Sequence, residues 1–243
     1  MSAEHRPPPD RSESTVTRVE LSHAITGGMA TYPGLPAPEF TAHLTRSDSR
    51  RIYAAGTEFT IDRITMVGNT GTYLDSPLHR YADGTDLSGL PLDALVDLPT
   101  VVVDLVGRRS RAVGVELLAA HDVDGCAVLL HTGAAARWGT AAYAEDAPYL
   151  TEEGARWLVG HGARLVGIDA VNLDDFEPTS GGRRPAHSVL LAAGIPVVEN
   201  LTGLEQVPAT GARFTAAPPM LAGVGTFPVR AYASFSANRS GSV

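Results

Sequence analysis

The sequence predicts a mixed α/β domain, and three observations support this fold class. Short runs rich in Val, Ile and Leu recur along the chain, and most are bounded by turn residues, as expected of strands. Fewer segments carry helix start and stop signals. The chain also has 25 glycines and 17 prolines among its 243 residues. This composition favours many short elements joined by ordered loops over a helical bundle.

The individual elements follow from local composition. Thr151 precedes two acidic residues and an apolar run that reaches Gly160, which is the pattern of an N-capped helix. Gly194 ends another helical run. The predicted strands are Val16–Leu21, Glu58–Val67, Pro99–Leu105, Ala127–Leu130, Leu165–Ile168 and Pro196–Asn200. The predicted helices are Val115–His121, Thr151–Gly160 and Ala186–Ala193.

The chain shows no repeat and no linker between domains. Polar, proline-rich residues at the start and polar residues at the end predict flexible tails at 1–17 and 237–243, around a single domain at 18–236. The single cysteine excludes a disulfide framework, and no apolar run approaches the length of a membrane span. We therefore expect a cytoplasmic protein.

Charge composition excludes several functions. All 19 Lys+Arg residues are arginine, so Schiff-base chemistry and a phosphate-binding P-loop lack their lysine. The formal net charge is −8 without a basic cluster, which argues against nucleic-acid and membrane partners. A small-molecule substrate is the expected partner.

Residues 69–79, which read N-T-G-T-Y-L-D-S-P-L-H, form the densest polar segment. If 69–75 is extended, Asn69, Tyr73 and Asp75 project from one face, because strand side chains alternate. Pro77 then ends the strand, and the following turn can bring His79 over the same face. The alternative is a polar strand edge that leads into a turn.

A second cluster lies near the end of the chain. His187 falls in the first turn of a predicted helix, and Glu199 lies in an otherwise apolar strand. A buried glutamate is costly unless it is paired, protonated or bound to a metal. The alternatives are an ion pair of Glu199 with Arg183 or Arg184, and a capping or surface role for His187.

These segments resemble the cyclase family of metal-dependent hydrolases, which includes bacterial kynurenine formamidases and isatin hydrolases. The family hallmark is His-x-Gly-Thr-His-x-Asp-Ala/Ser-Pro-x-His, and residues 69–79 occupy the same frame. Further matching segments are L-S-H at 21–23, L-H-T-G at 130–133, V-G-I-D at 166–169, G-I-P at 194–196 and E-N-L at 199–201. The resemblance implies a swivelling β/β/α domain and a homodimer or homotetramer.

The same resemblance implies a site. In the family, two divalent metals are bound by two histidines and an aspartate of the hallmark, together with a downstream histidine and glutamate. By this resemblance Asp75, His187 and Glu199 are retained as ligands and His79 as the acid/base. The two hallmark histidines are replaced by Asn69 and Tyr73, which are weak metal donors at neutral pH.

Loss of two imidazoles leads us to expect acid–base catalysis without the two-metal centre, and no cofactor. The catalytic candidates are His79, Tyr73, Asp75, His187 and Glu199, acting on a carbonyl-bearing small molecule in ring closure, dehydration or ring opening, in specialised metabolism. Candidate substrate-binding residues are Asn69, Tyr32 and Leu35. The alternatives are an amide or ester hydrolase with one ion (Mn, Zn or Fe) at Asp75, His187 and Glu199, and an inactive binding homologue.

Overall fold

The computed structural model describes residues 16–30 and 32–236, and within them there are thirteen strands and four α-helices. The strands are β1 (Val16–Glu20), β2 (Glu39–Leu44), β3 (Ile61–Thr65), β4 (Tyr73–Asp75), β5 (Leu98–Asp104), β6 (Ala112–Val113), β7 (Ala127–His131), β8 (Tyr149–Leu150), β9 (Leu165–Ile168), β10 (Val197–Glu199), β11 (Thr210–Thr215), β12 (Thr226–Pro228) and β13 (Tyr232–Ser236). The helices are α1 (Arg46–Ile52), α2 (Val115–Leu118), α3 (Glu152–Gly160) and α4 (Pro185–Ala192).

Nine strands form one mixed sheet in the order β1-β13-β11-β5-β7-β9-β10-β4-β12. Strands β5, β7, β9 and β10 run parallel, and the flanking pairs are antiparallel. Parallel neighbours need crossover connections, and α2, α3 and α4 occupy the three crossovers. The predicted mixed α/β class is therefore confirmed.

The core lies on both faces of this sheet. Val101 and Val103 of β5 pack in one apolar cluster with Leu158 of α3, whereas Val102 packs in a second cluster with Phe214 of β11. This alternation follows from the two-residue period of a strand, and it explains why the central strands are apolar throughout.

All nine predicted elements are present, with bounds within about three residues of those predicted. Helix α3 begins as predicted, since the side chain of Thr151 accepts a hydrogen bond from the Gly154 N–H at 3.0 Å. Helix α2 ends at Leu118 rather than His121. Helix α1 and strands β2, β11, β12 and β13 were not among the predicted elements. The predicted tails lie outside the described residues, except that β1 begins at Val16.

The prediction of an extended segment over 69–75 is wrong in its first half. Only Tyr73–Asp75 forms a strand, because Gly71 has a φ of 65°, in the left-handed region. A Cβ at Gly71 would also lie 2.9 Å from a side-chain carbon of Ile25. Glycine is therefore required where the chain turns into β4, and Asn69 reaches the site from this turn rather than from the strand.

Strands β2 and β3 pair with each other outside the main sheet, and α1 connects them. Both strands are exposed along almost their whole length. No helix in the described ranges is long and apolar enough to cross a membrane.

Candidate active site

The pairing of β4 with β10 brings the first three candidate residues together. In this antiparallel pair Glu199 lies opposite Tyr73, and Val197 lies opposite Asp75. Tyr73 and Asp75 project from one face because they are two residues apart in β4. The Tyr73 hydroxyl donates a hydrogen bond to Glu199 Oε2, and the Leu173 N–H donates to Oε1. Both Glu199 oxygens are thus held in place.

Helix α4 supplies His187 to the same point. Asp174 Oδ2 lies 2.6 Å from His187 Nδ1, and Asp174 also accepts the backbone N–H groups of Ala186 and His187 at 2.7 and 3.1 Å. Because Nδ1 donates to Asp174, Nε2 is directed to the other side of the ring. There it lies 3.3 Å from Glu199 Oε1 and 3.5 Å from Asp75 Oδ2.

Burial and charge shift the pKa values of His187 and Tyr73. Burial by itself lowers the pKa of His187, but the carboxylates of Glu199, Asp174 and Asp75 outweigh it and raise that pKa well above its ordinary value. Burial, reinforced by Glu199 and Asp75, raises the pKa of Tyr73 well above its ordinary value. Tyr73 therefore remains a neutral phenol, which is a poor metal ligand.

His79 is presented by a single 3-10 turn, Pro77–His79, that follows β4. Its Nδ1 lies 2.7 Å from the Thr226 hydroxyl oxygen, and that hydroxyl donates its proton to Asp75 Oδ1. Thr226 has one proton to donate, so His79 Nδ1 is the donor in their contact and Nε2 carries the lone pair. The His79 side chain is 37% exposed, so Nε2 can exchange protons with substrate or water.

These residues enclose a cavity of about 220 Å³. All eight predicted site residues line it, together with residues that were not predicted, so the structure brings the candidates together while their roles stay predictions. The full lining is Tyr32, Leu35, Asn69, Tyr73, Asp75, His79, Arg80, Asn172, Arg184, His187 and Glu199.

A family model described as "Putative cyclase" matches residues 19–175, which is more than half of the chain. The chain belongs to the cyclase family. This cyclase is 27% identical over 214 residues to the kynurenine formamidase of Geobacillus thermodenitrificans (strain NG80-2), covering 88% of this chain and 95% of that protein. The chain is therefore a member of an enzyme family and is related to a formamide-hydrolysing enzyme.

Solved structures show the same fold. Isatin hydrolase A from Labrenzia aggregata, bound to benzyl benzoate, superposes with a TM-score of 0.77 at 24% identity, covering 91% of this chain and 94% of that chain. A structure described as a potential metal-dependent hydrolase with cyclase activity has a TM-score of 0.72 at 26% identity, covering 90% and 98%. The expected cyclase-type domain is confirmed.

The retained cluster of this cyclase fits one divalent ion. Ligand atoms of Asp75, His187 and Glu199 lie within 4.8 Å of one another. Asp75 Oδ2 is buried, and no hydrogen bond reaches it from the described residues. The separations of 3.3 and 3.5 Å from His187 Nε2 exceed a usual N–H···O bond. Two neighbouring ligands of one ion, each about 2.1 Å away, lie about 3.0 Å apart in octahedral and about 3.4 Å apart in tetrahedral geometry.

Two alternatives from the sequence are not realised. In the described residues Glu199 does not pair with Arg183 or Arg184; its charged neighbour is His187. His187 is buried rather than at the surface. Tyr73, one of the catalytic candidates, has its hydroxyl proton directed to Glu199, so it orients that carboxylate.

Sequence reasoning missed several residues around the cluster. Asp174 and Asn172 lie in a polar stretch just beyond β9, and polar residues at the carboxyl end of a parallel strand are a usable signal. Thr226 offered no signal, because a single threonine far along the chain is unremarkable in sequence. Arg80 and Arg184 also line the pocket; Arg80 was not among the candidates, and Arg184 was considered as an ion-pair partner of Glu199.

Proposed function

We propose that this cyclase-family enzyme hydrolyses or opens an amide or ester of a small, carbonyl-bearing molecule, with one divalent ion held by Asp75, His187 and Glu199. The observation that carries the proposal is the buried cluster of these three residues facing His79 across one small pocket. A bound ion would act as a Lewis acid toward the carbonyl. Two carboxylates with one imidazole suit Mn or Fe better than Zn.

His79 is the proposed general base. With its Nδ1 proton directed to Thr226, His79 Nε2 can take a proton from an attacking water and return it to the leaving nitrogen or oxygen. Asp75 fixes this arrangement by accepting the Thr226 proton. Asp174 fixes the tautomer of His187, as carboxylates commonly do behind a metal-bound histidine.

The remaining lining residues fit binding of a compact substrate. The cavity of about 220 Å³ is small, which suits a compact ring compound rather than a polymer. Asn69 and Asn172 offer amide groups, whereas Leu35 offers an apolar surface. Isatin, a cyclic amide, and aromatic formamides are therefore suitable probes, as the names of the related enzymes also suggest.

A second candidate is proton-transfer catalysis without a metal. The specific observation in its favour is that a protonated His187 can itself serve as the cation between Asp75 and Glu199. Its reactions would be ring closure or dehydration next to a carbonyl, with His79 again moving the proton.

One set of measurements separates these candidates. The purified protein would be analysed for Mn, Fe and Zn, and its turnover of isatin, an aromatic formamide and an aryl ester would be followed before and after EDTA. We expect about one ion per chain and activity lost with that ion. His79→Ala should lower kcat by about 10²–10⁴-fold, whereas His43→Ala, which changes an exposed histidine of β2, should leave kcat unchanged.

The alternatives predict different results. Activity that survives complete metal removal would favour proton transfer without a metal. The third outcome is that neither the metal-loaded nor the metal-free protein turns over any probe, and that His79→Ala leaves the binding of the probes unchanged. The chain would then behave as an inactive binding homologue.

A further inference from the structure

Arg80 and Arg184 stand between the catalytic pocket and a much larger open groove. Both line the 220 Å³ pocket, and both also line a groove of about 1170 Å³ between α3 and α4. A molecule that entered the pocket from this groove would pass both guanidinium groups.

The two arginines are held by fixed partners. Arg80 Nε donates to Ser188 Oγ at 3.1 Å, and Ser188 Oγ donates to the carbonyl oxygen of Arg184 at 2.7 Å. The Arg184 guanidinium donates to the Arg183 carbonyl at 2.9 Å and to the Tyr32 hydroxyl at 3.3 Å. Ser188 thus ties the Arg80 guanidinium to the backbone of Arg184, and the Arg184 guanidinium has its own partners. Side chains held in this way lose less entropy when they bind a ligand.

Neither guanidinium has a carboxylate partner within residues 16–30 and 32–236. Among the described residues, Arg80 and Arg184 form no ion pair, because the nearby acids have other partners. Asp175 pairs with Arg111 at 2.8 Å, and Glu152 pairs with Arg156 at 2.6 Å. In a chain with a net charge of −8, two anchored and unpaired cations at a pocket mouth form a site for an anion.

We propose that the substrate carries an anionic group, a carboxylate or a phosphate, which Arg80 and Arg184 bind while the carbonyl lies beside His79. The position of the carbonyl rests on the proposed function, but binding of the anion does not. Guanidinium groups match the geometry of both anions through paired N–H donors. The pocket of about 220 Å³ has room for the reacting ring, so the anionic group lies at the mouth beside the two arginines.

The test compares matched probes by titration calorimetry on the full chain. Benzoate and phenyl phosphate are anionic, and benzamide is a neutral analogue of the same shape as benzoate. We expect at least one anion to bind about tenfold more tightly than benzamide, and the tighter anion identifies the group. Arg80→Gln and Arg184→Gln should each weaken binding of that anion about tenfold and leave benzamide unchanged.

Two further variants serve as controls. Arg183→Gln removes the same charge from the neighbouring position, which lines the groove but not the pocket, and it should retain wild-type affinity. Arg184→Lys keeps the charge and should lose less affinity than Arg184→Gln. Thermal melts confirm that each variant is folded.

Three results would overturn the proposal. The first is equal affinity for benzamide and both anions. The second is an equal loss in Arg183→Gln and Arg184→Gln. The third is anion binding that survives Arg80→Gln and Arg184→Gln but disappears after EDTA, since the ion would then be the anion site. A preference for anions without turnover of any hydrolase probe would refute the proposed function and leave this inference standing.

Discussion

Thr226 connects the proposed base, His79, with Asp75 of the candidate metal site. Its hydroxyl lies between His79 Nδ1 and Asp75 Oδ1, so one side chain sets the tautomer of the base and satisfies one oxygen of the acid. Because the Thr226 hydroxyl acts through His79 and Asp75, it is a positioning residue. Its importance follows from geometry alone.

Replacement of Thr226 tests this role. Thr226→Val keeps the shape but removes the hydroxyl, so we expect kcat to fall about 10- to 100-fold as His79 loses its orientation. Thr226→Ser keeps the hydroxyl and should retain most activity. Steady-state kinetics on any substrate found active would measure both, with melting temperatures as the check on folding. Equal activity of the Val and Ser variants would contradict the role.

His23, which does not line the pocket, couples stability to pH. Its ring stacks on Trp138 with centroids 3.9 Å apart, and its Nε2 is buried without a hydrogen-bond partner among the described residues. Burial lowers the pKa of His23 from 6.5 to about 4. Between those values the unfolded chain binds a proton that the folded chain does not, so stability declines as pH falls from 6.5 to about 4.

A variant isolates this contribution. His23→Phe retains an aromatic ring against Trp138 but cannot titrate, so its melting temperature should fall less than that of the wild type between pH 6.5 and 4. His43→Phe changes an exposed histidine and should keep the wild-type dependence. Parallel pH profiles for wild type and His23→Phe would show that His23 is not responsible.

At the scale of elements, Asp174 joins the segment after β9 to the start of α4. It accepts two backbone N–H groups of the first turn and the Nδ1 proton of His187. A carboxylate at a helix N-terminus also interacts favourably with the helix dipole. The same residue therefore anchors the helix and aims the histidine that the helix carries.

Asp174→Asn should weaken both functions. The amide offers one acceptor oxygen and no charge, so we expect divalent-ion affinity to fall about 10- to 100-fold, together with a lower melting temperature. Asp175→Asn is the matched control, because Asp175 pairs with Arg111 and does not contact His187. Manganese titration followed by calorimetry measures the change. Equal affinities of the two variants would rule out a special role for Asp174.

Strands could be predicted where nearly all of their residues are apolar. The central strands β5, β7 and β9 are buried on both faces, so their apolar runs identify them. Strand β2 reads E-F-T-A-H-L, with apolar residues at alternate positions, so its strand signal was present in the sequence and was missed. The turn at Gly71 was missed because a glycine permits both extended and left-handed backbone.

At the scale of the molecule, the segment Glu39–Thr65, which contains β2, α1 and β3, forms an exposed arm. Its apolar side chains include Phe40, Ile52 and Ile64, which are 47%, 67% and 58% exposed. Exposed apolar clusters of this kind mark interaction surfaces. We propose that a second copy of the chain covers the arm in the predicted homodimer or homotetramer.

Charge placed on the arm should separate the copies. We expect Ile64→Asp to lower the oligomer mass in light scattering coupled to size-exclusion chromatography, because a carboxylate would be buried in the interface. Leu92→Asp is the control, since Leu92 is 68% exposed but lies outside the arm. A monomeric wild type, or identical masses for both variants, would contradict the proposed interface.

The sequence by itself determined the fold class and family. Apolar periodicity and ordered motifs are patterns among residues that are close together in the chain, so they can be recognised without the structure. It also excluded lysine chemistry, since the chain contains no lysine, and its resemblance to the family predicts that Asn69 and Tyr73 replace two metal-binding histidines. Only the tertiary structure decided how the retained groups combine. Asp75 and Glu199 meet through the pairing of β4 with β10, Asp174 orients His187, and Thr226 orients His79. Such contacts join residues far apart in the chain, so no local pattern encodes them.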